Sequence, residues 1–142
     1  MANEDWEPAS EFGRRAVSLL ESENLIWLTT VDPSGRPQPN PVWFVWDGST
    51  VLIYSHRRAA RNRNISLNPK VALHFNSDRW GEKVVIISGE ARISTGEPPV
   101  TECKPYVNKY GEAIPSLGMD VAKYAELYSV PVRITPERVR GF

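Results

Sequence analysis

The sequence predicts an α+β domain in which about six mostly antiparallel strands form a barrel-like sheet with flanking helices. Short segments rich in β-branched and aromatic residues recur along the chain, and turn signals such as Asp47-Gly48 separate them. Segments with helical spacing lie among these strands. Because 142 residues is the size of one domain, we assign residues 1–142 to a single domain, with residues 1–8 as a loose N-terminal arm.

The first elements follow from capping and turn residues. Ser10 is placed to cap a helix that runs through about Glu23, and Leu25–Val31 has the composition of a strand. Asp32–Gly35 then predicts a turn, because proline presets one φ angle and glycine supplies a free one. Prolines cannot donate to a strand ladder, so the next segment is an edge strand, a bulge or a ligand-facing loop; its prolines are Pro37, Pro39 and Pro41.

The segment Trp43–Trp46 has no polar alternation, unlike a strand with one wet face. Both faces must therefore be covered. We expect the second cover to be a partner subunit or a flat ligand.

The second half alternates strands and helices. Val51–Tyr54 returns from the Asp47-Gly48 hairpin, and a short helix after it ends near Asn68-Pro69. Gly89 interrupts a strand and indicates a bulge or a close backbone approach. The remaining predicted elements are strands at 71–75, 84–93 and 130–142 and helices at 100–110 and about 119–128.

A local cluster of arginines marks the start of the short helix. Cations are unfavourable at a helix N-terminus, which already carries partial positive charge. Free backbone N–H groups with several guanidinium groups suit a phosphate or polycarboxylate, although a solvated basic face explains the same pattern. The arginines are Arg57, Arg58, Arg61 and Arg63.

The composition narrows the class of protein. Lys+Arg and Asp+Glu both number 17, so the chain lacks the net positive charge that would attract nucleic acid. One cysteine, Cys103, forms no internal disulfide and fits a reducing, cytoplasmic location. The polar N-terminus has no signal-peptide core, and the longest aliphatic run, Val84–Ile87, is too short to span a membrane.

No catalytic motif stands out. The dinucleotide fingerprint, the P-loop, the G-x-S-x-G elbow and Cys/His metal clusters are all missing from the sequence. No metal site is predicted, and the catalytic residues stay unassigned. If the protein is an enzyme, a bound cofactor supplies the chemistry.

An ordered set of segments resembles the pyridoxamine 5'-phosphate oxidase-like superfamily of FMN-binding split β-barrels. Within it, the chain looks most like the actinobacterial branch that uses the deazaflavin coenzyme F-420. The segments are Gly35–Phe44, Leu52–Ser55, Arg61–Ile65, Asn68–Leu73 and Gly89–Ala91. One departure is Arg61, where deazaflavin-using relatives often carry lysine; arginine keeps the charge and adds a second donor.

The resemblance implies a homodimer with cofactor sites at the subunit interface. It places the phosphate side of the cofactor near the end of the fourth strand and the arginine cluster, with the ring along the proline-rich segment. Trp80 matches a loop aromatic that reaches the site. The implied cofactor-binding residues are Gln38, Pro39, Asn40, Pro41, Val42, Tyr54, Ser55, His56, Arg57, Arg58, Arg61, Asn64 and Trp80.

The function expected from this resemblance is a coenzyme F-420-dependent reductase that passes hydride to an unsaturated or conjugated small molecule. An FMN-dependent flavoprotein related to pyridoxamine phosphate oxidase is the first alternative, although the characteristic C-terminal substrate residues of those oxidases are not found. A non-catalytic protein that binds a cofactor or a tetrapyrrole is the second. Whether residues 94–128 cover the site or brace the barrel stays open at this point.

Overall fold

A computed structural model describes residues 10–142, and the arm predicted for residues 1–8 lies outside them. The helices of this part of the chain are α1 (Glu11–Ser22), α2 (Ala60–Leu67), α3 (Lys104–Tyr110) and α4 (Val121–Leu127). The strands are β1 (Ile26–Val31), β2 (Pro37–Val42), β3 (Val45–Trp46), β4 (Val51–Ser55), β5 (Lys70–His74), β6 (Val85–Ile93) and β7 (Val130–Gly141). Short 3-10 turns cover Val100–Glu102 and Ile114–Leu117.

The seven strands form one curled antiparallel sheet in the order β2-β1-β5-β6-β7-β4-β3. The sheet does not close, because β2 and β3 lie at its two ends. The predicted α+β class and the split-barrel sheet are therefore confirmed, and the two-residue β3 adds a seventh strand to about six that were predicted.

Strand β2 is the edge that its prolines predict. Within the described part of the chain it pairs only with β1, and five of its six residues are exposed. Residues of the same parity in an antiparallel strand turn their backbone groups to the same side. The three alternating prolines therefore face the open side, so this edge offers carbonyl acceptors without N–H donors at those positions and is a poor template for another strand.

Local signals explain the ends of α1 and the tight turns. The hydroxyl of Ser10 accepts a 2.8 Å hydrogen bond from the amide of Gly13 and caps α1 as predicted. In the turn after β1, the carboxylate of Asp32 accepts from two backbone amides, and Gly35 has a φ of 84° that other residues rarely adopt. No helix in the described part of the chain has the length and apolar character needed to cross a membrane.

Two apolar clusters stabilise the fold. The larger one fills the inside of the curl between the sheet, α1 and α2. The smaller one lies on the other face of β3 and β4, where α3 and α4 pack Tyr106, Tyr110 and Tyr124 against the sheet. The prediction that a partner subunit or flat ligand covers the second face of Trp43–Trp46 is therefore wrong, because these helices of the same chain cover it.

A buried tyrosine holds the irregular backbone between β2 and β3. The Tyr110 hydroxyl accepts from the Phe44 amide at 2.9 Å and lies within hydrogen-bond distance of the carbonyls of Phe44 and Asn24. Its ring stacks on Trp43 with centroids 4.4 Å apart and planes 2° apart. Helix α3 thus supplies the partners that a regular strand would supply, and it fixes the position of Trp43.

An ion-pair network ties the loop after β6 to the sheet. Arg133 on β7 donates from Nε and Nη2 to the two carboxylate oxygens of Glu97, both at 2.8 Å. Its Nη1 reaches Asp47 and Thr50 in the β3–β4 hairpin. The Arg133 guanidinium and the Ser94 hydroxyl lower the pKa of Glu97 to about 2, against the opposing effect of its burial.

We predict that Gly89→Ala destabilises the fold. The bulge at Ser88/Gly89 brings β7 so close that an added Cβ would lie 2.4 Å from the backbone oxygen of Thr135. Two paired strands must separate to admit it, at a cost of about 1–3 kcal/mol in the free energy of unfolding. Chemical denaturation measures this change. Gly96→Ala is the control, since nothing lies near its added Cβ; equal effects of both changes would contradict the role of the close approach.

The Glu97 network predicts a pH-dependent loss of stability. The folded pKa of about 2 lies below the ordinary 4.5, so the stabilisation is complete above about pH 4.5 and is lost as the pH falls toward 2. At neutral pH, Glu97→Gln should lower the free energy of unfolding by about 1–3 kcal/mol. This difference from the native chain should shrink progressively in acid.

Denaturation curves across this pH range measure the difference directly. Glu112→Gln is the control, because Glu112 is exposed and makes no ion pair within residues 10–142. A Glu97→Gln penalty that stays constant between neutral pH and pH 3 would show that the ion pair does not stabilise the fold.

Candidate functional site

Two cavities meet at Arg61, in the first turn of α2. The first, here called the apolar cavity, is lined mainly by aromatic and aliphatic residues and has a volume of about 350 Å³. The second, here called the polar cavity, is lined mainly by residues with polar side chains and has a volume of about 430 Å³. Both are of the size that small-molecule sites have in proteins. Arg61 lines both of them, so one guanidinium stands between two chemically different compartments.

The apolar cavity lies between the end of β2, the end of β4 and the segment that includes α4. Trp43 stacks between Tyr110 and Tyr124, Tyr124 stacks on Tyr128 at 4.2 Å, and His56 meets Tyr128 edge-on at 5.2 Å. The lining residues are Leu25, Pro41, Val42, Trp43, Tyr54, His56, Arg61, Leu117, Tyr124 and Tyr128. The stacked rings of Tyr110, Trp43, Tyr124 and Tyr128 form an aromatic column. Because Trp43 and Tyr124 each have a neighbouring ring stacked on both faces, the column presents mainly ring edges to a ligand.

Among residues 10–142, no acidic residue lines the apolar cavity. Burial raises the pKa of Tyr124 to about 12, although its hydrogen bond with the Tyr106 hydroxyl acts in the opposite direction. The Tyr124 hydroxyl therefore stays protonated at neutral pH. The cavity is therefore neutral or positive in charge. It suits a flat, electron-rich or anionic group.

The polar cavity opens at the start of α2. Ala59 occupies the N-cap position, no side chain caps the helix, and the cavity reaches Ala59 and Ala60. The first backbone amides of a helix need an external acceptor. The lining residues are Thr30, Asp32, Pro33, Gln38, Asn40, Ala59, Ala60, Arg61, Arg63 and Asn64. The one carboxylate, of Asp32, is engaged by the amides of its own turn and by Gln38.

Arg61 is half-buried with most of its donors unused. Its Nη1 donates a 3.0 Å hydrogen bond to the hydroxyl of Ser55, whereas a guanidinium has five N–H donors. Within residues 10–142 no carboxylate lies at ion-pair distance from it. Burial lowers its pKa from the ordinary value, yet arginine keeps its charge in proteins. A half-buried charge without a counter-ion is a strong site for an anion.

Two buried polar residues support this arrangement from behind. Ser55 is fully buried and accepts from Arg61, so its hydroxyl orients the guanidinium. Asn64 is 3 % exposed and donates from Nδ2 to the hydroxyl of Thr30 at 3.1 Å. This bond ties α2 to β1 and fixes the helix against the sheet.

The structure brings most of the predicted site residues together around Arg61. Gln38, Asn40 and Asn64 line the polar cavity; Pro41, Val42, Tyr54 and His56 line the apolar one. The Tyr54 hydroxyl points elsewhere, because it donates to the carbonyl of Pro98 at 2.6 Å.

Five predicted residues line neither cavity: Pro39, Ser55, Arg57, Arg58 and Trp80. Pro39 lies on the exposed edge strand, and both arginines are exposed in the turn before α2. Trp80 is 79 % exposed, with the Arg79 guanidinium 5.1 Å from its ring. Their cofactor contacts stay predictions.

Several lining residues are not among the predicted cofactor-binding residues. They are Leu25, Trp43, Leu117, Tyr124 and Tyr128 in the apolar cavity and Thr30, Asp32, Pro33, Ala59, Ala60 and Arg63 in the polar one. The spacing of Tyr124 and Tyr128 by four residues on a predicted helix puts them on one face, and this signal points to a shared surface. The spacing alone does not show which strands this helix face packs against. The structure shows that the 94–128 region both braces β3 and β4 and lines the apolar cavity.

The described residues offer binding groups but no nucleophile in the site. Cys103, the one cysteine, is buried in the smaller apolar cluster. No group of three or more metal-ligating side chains occurs within residues 10–142. This arrangement can bind and orient an anionic ligand with a flat ring, and any redox chemistry has to come from that ligand.

Solved structures share this fold. The heme storage protein HutZ from Vibrio cholerae is 18 % identical, with a TM-score of 0.66 over 90 % of this chain and 92 % of that one. General Stress Protein 26 from Bacillus anthracis is 14 % identical, with a TM-score of 0.62 over 89 % of both chains. A protein described as an F-420 reductase is 26 % identical, with a TM-score of 0.60 over 87 % of this chain and 94 % of that one.

The sequence also matches a family model. No curated protein shows a significant match to the chain. The model of pyridoxamine 5'-phosphate oxidase matches residues 12–142, which is nearly all of the chain. The match covers both cavities, Arg61 and the whole curled sheet, and the chain therefore belongs to the pyridoxamine 5'-phosphate oxidase family.

Proposed function

We propose that this protein binds a phosphate-bearing, flavin-type cofactor and is an oxidoreductase, with coenzyme F-420 as the cofactor and FMN as the alternative. The observation that carries the proposal is the half-buried Arg61, which has no carboxylate partner within the described chain and stands between a polar and an aromatic cavity. The likeness to an F-420 reductase favours the deazaflavin.

The two cavities fit the two ends of such a cofactor. The phosphate would lie in the polar cavity, where Arg61 and the uncapped first turn of α2 offer donors. The ring would lie toward the apolar cavity, against Pro41, Val42 and the edges of the aromatic column. Gln38 and Asn40 on strand β2 line the polar cavity and would offer their amide groups to the polar part of the cofactor there.

The chain's own work would be binding, orientation and exclusion of water. When bound, the reduced deazaflavin supplies the hydride, and an unsaturated or conjugated small molecule accepts it. The cavity is apolar on the side that faces the ligand, because Trp43, Tyr124 and Tyr128 line it. This surface would keep the acceptor close to the cofactor ring. No side chain is needed as a nucleophile.

Tetrapyrrole binding without catalysis is the second candidate function. The imidazole of His56 lines the apolar cavity, and its Nδ1 accepts from the amide of Arg58, so the other ring nitrogen carries the proton and can donate to a carboxylate of a tetrapyrrole. The likeness to a heme storage protein shows the fold alone at 18 % identity. A heme titration with a Soret shift that His56→Ala removes would favour this function over the reductase.

Arg61→Ala should weaken binding of coenzyme F-420 by about 1.5–3 kcal/mol, since it removes a charge-assisted hydrogen bond. This equals a dissociation constant about 10- to 150-fold higher. Tryptophan fluorescence quenching measures it, because Trp43 lines the apolar cavity. FMN is titrated in parallel, and preference for FMN would move the protein to the flavin branch.

Arg58→Ala is the matched control, because Arg58 is exposed and lines neither cavity. Its affinity should stay within about twofold of the native chain. Equal losses in the two variants would show that the anion is held by the exposed turn instead. Unchanged affinity in Arg61→Ala would place the anion site away from the junction.

The protein should be a homodimer whose interface covers the rim of the apolar cavity. Leu25 and Leu117 both line that cavity and are each 48 % exposed, so a partner subunit seated there would bury two apolar side chains together. Light scattering should give twice the 16.0 kDa of one chain. Leu117→Asp should convert the dimer to monomer, because a charge at the rim opposes burial.

Leu67→Asp is the control for the dimer. Leu67 is 64 % exposed on α2 and lines neither cavity, so this variant should stay dimeric. A native chain that is monomeric at high micromolar concentration, with or without cofactor, would refute the interface.

A further inference from the structure

Asp32, in the turn after β1, is a charged group that the proposed phosphate site does not use. It lines the polar cavity together with Arg61 and Arg63, and among residues 10–142 it is the one carboxylate to do so. The other lining residues are uncharged. An anion in this cavity therefore meets two guanidinium groups that attract it and one carboxylate that repels it.

The Asp32 carboxylate is held in place. Its Oδ1 accepts from the amides of Ser34 and Arg36, both at 2.9 Å, and its Oδ2 accepts from Nε2 of Gln38 at 3.1 Å. The amide of Arg36, followed by Gln38 and Ser34, lowers the pKa of Asp32 against the effect of burial, so the group stays charged above about pH 4. Moving the carboxylate away from an entering anion would break three hydrogen bonds.

The turn itself does not require this charge. The loop between β5 and β6 repeats the turn around Asp78, whose Oδ1 accepts from the amides of Trp80 and Glu82, both at 2.9 Å. The side-chain oxygen of an asparagine can accept the same two backbone amides. Asp32 and Asp78 are both partly exposed, but only Asp32 lines a cavity at Arg61. The charge of Asp32 is therefore left to act on the cavity.

We propose that Asp32 determines which phosphate charge the polar cavity accepts, by disfavouring dianionic phosphate monoesters relative to monoanionic phosphodiesters. This inference rests on the proposed function, in which the phosphate lies in this cavity. A phosphodiester, such as that of coenzyme F-420, carries one charge, whereas the monoester of FMN carries nearly two at neutral pH. Asp32 repels each of these charges, so its unfavourable effect is about twice as large for the monoester as for the diester.

The size and charge of the cavity make this repulsion significant. A volume of about 430 Å³ corresponds to a sphere about 9 Å across, so a phosphate inside it lies within about one Debye length of the carboxylate. Two guanidinium groups and one carboxylate leave one positive charge, which one anionic charge neutralises. A second anionic charge finds no further cation among the lining residues, because Arg36, Arg57 and Arg58 line neither cavity.

A series of three ligand charges on one ring system tests the role of Asp32. Riboflavin is neutral, FMN is mostly a monoanion at pH 5, and FMN is a dianion at pH 8, since the second pKa of a phosphate monoester is about 6. Each ligand is titrated by flavin fluorescence into the native protein and Asp32→Asn at low ionic strength. The dissociation constant of the native chain should equal that of the variant for riboflavin, exceed it about two- to threefold for FMN at pH 5, and exceed it about four- to ninefold at pH 8.

Asp78→Asn is the matched control, because it makes the same change in the same kind of turn away from both cavities. It should leave all three affinities within about twofold of the native values. Any titration of His56 in the apolar cavity is common to the chains compared and cancels from the ratios. Asp32→Ser removes the charge and keeps a hydroxyl acceptor for the turn, so it repeats the measurement if Asp32→Asn is unstable.

A ratio that is the same for riboflavin and for FMN at both pH values would overturn the proposal, and so would the absence of FMN binding in both chains. Arg61→Ala tests the proposed function separately. If Arg61→Ala binds FMN as tightly as the native chain, the anion site lies elsewhere and both claims fail. Loss of affinity in Arg61→Ala without a charge-dependent gain in Asp32→Asn would refute the role of Asp32 alone.

Discussion

The arrangement around Arg61 depends on one unbalanced charge. Its guanidinium is half-buried, hydrogen-bonded to Ser55 and without a carboxylate partner in the described chain. A charge in that position is unfavourable until an anion neutralises it. The uncapped first turn of α2 has the same need for an acceptor, so two independent features of the molecule favour an anion at one place.

A second constraint holds the apolar side of the site. Helices α3 and α4 cover one face of β3 and β4 and place the aromatic column of Tyr110, Trp43, Tyr124 and Tyr128 along the cavity. The Tyr110 hydroxyl replaces strand hydrogen bonds at Phe44, so stability and site geometry come from the same residue. A change in this cluster therefore affects both the fold and the cavity.

Local chemistry made much of the fold predictable. The capping and turn signals each act over a few residues: Ser10, Asp32–Gly35, Asp47-Gly48 and the alternating prolines of β2. The structure confirms the helix cap, the turns and the edge strand that they predict. Gly89 also occurs at the predicted bulge. These signals are short-range, so they can be read without knowing the tertiary structure.

Long-range packing was less predictable. The apolar run Trp43–Trp46 shows that both faces are covered but not by what, and the answer lies more than 50 residues away in α3 and α4. For the same reason the sequence did not predict that Tyr124 and Tyr128 line the apolar cavity. The helix-start position and the family resemblance favoured Arg61 over Arg57 and Arg58, but the burial that separates Arg61 from these exposed arginines cannot be read from the sequence.

The most direct test of the account is a crystal structure of the protein with FMN or coenzyme F-420 bound. We expect the phosphate to lie in the polar cavity, within hydrogen-bond distance of the Arg61 guanidinium and the first amides of α2, with the ring toward Pro41 and Trp43. A phosphate held by Arg57 and Arg58, with Arg61 bonded only to Ser55, would contradict it.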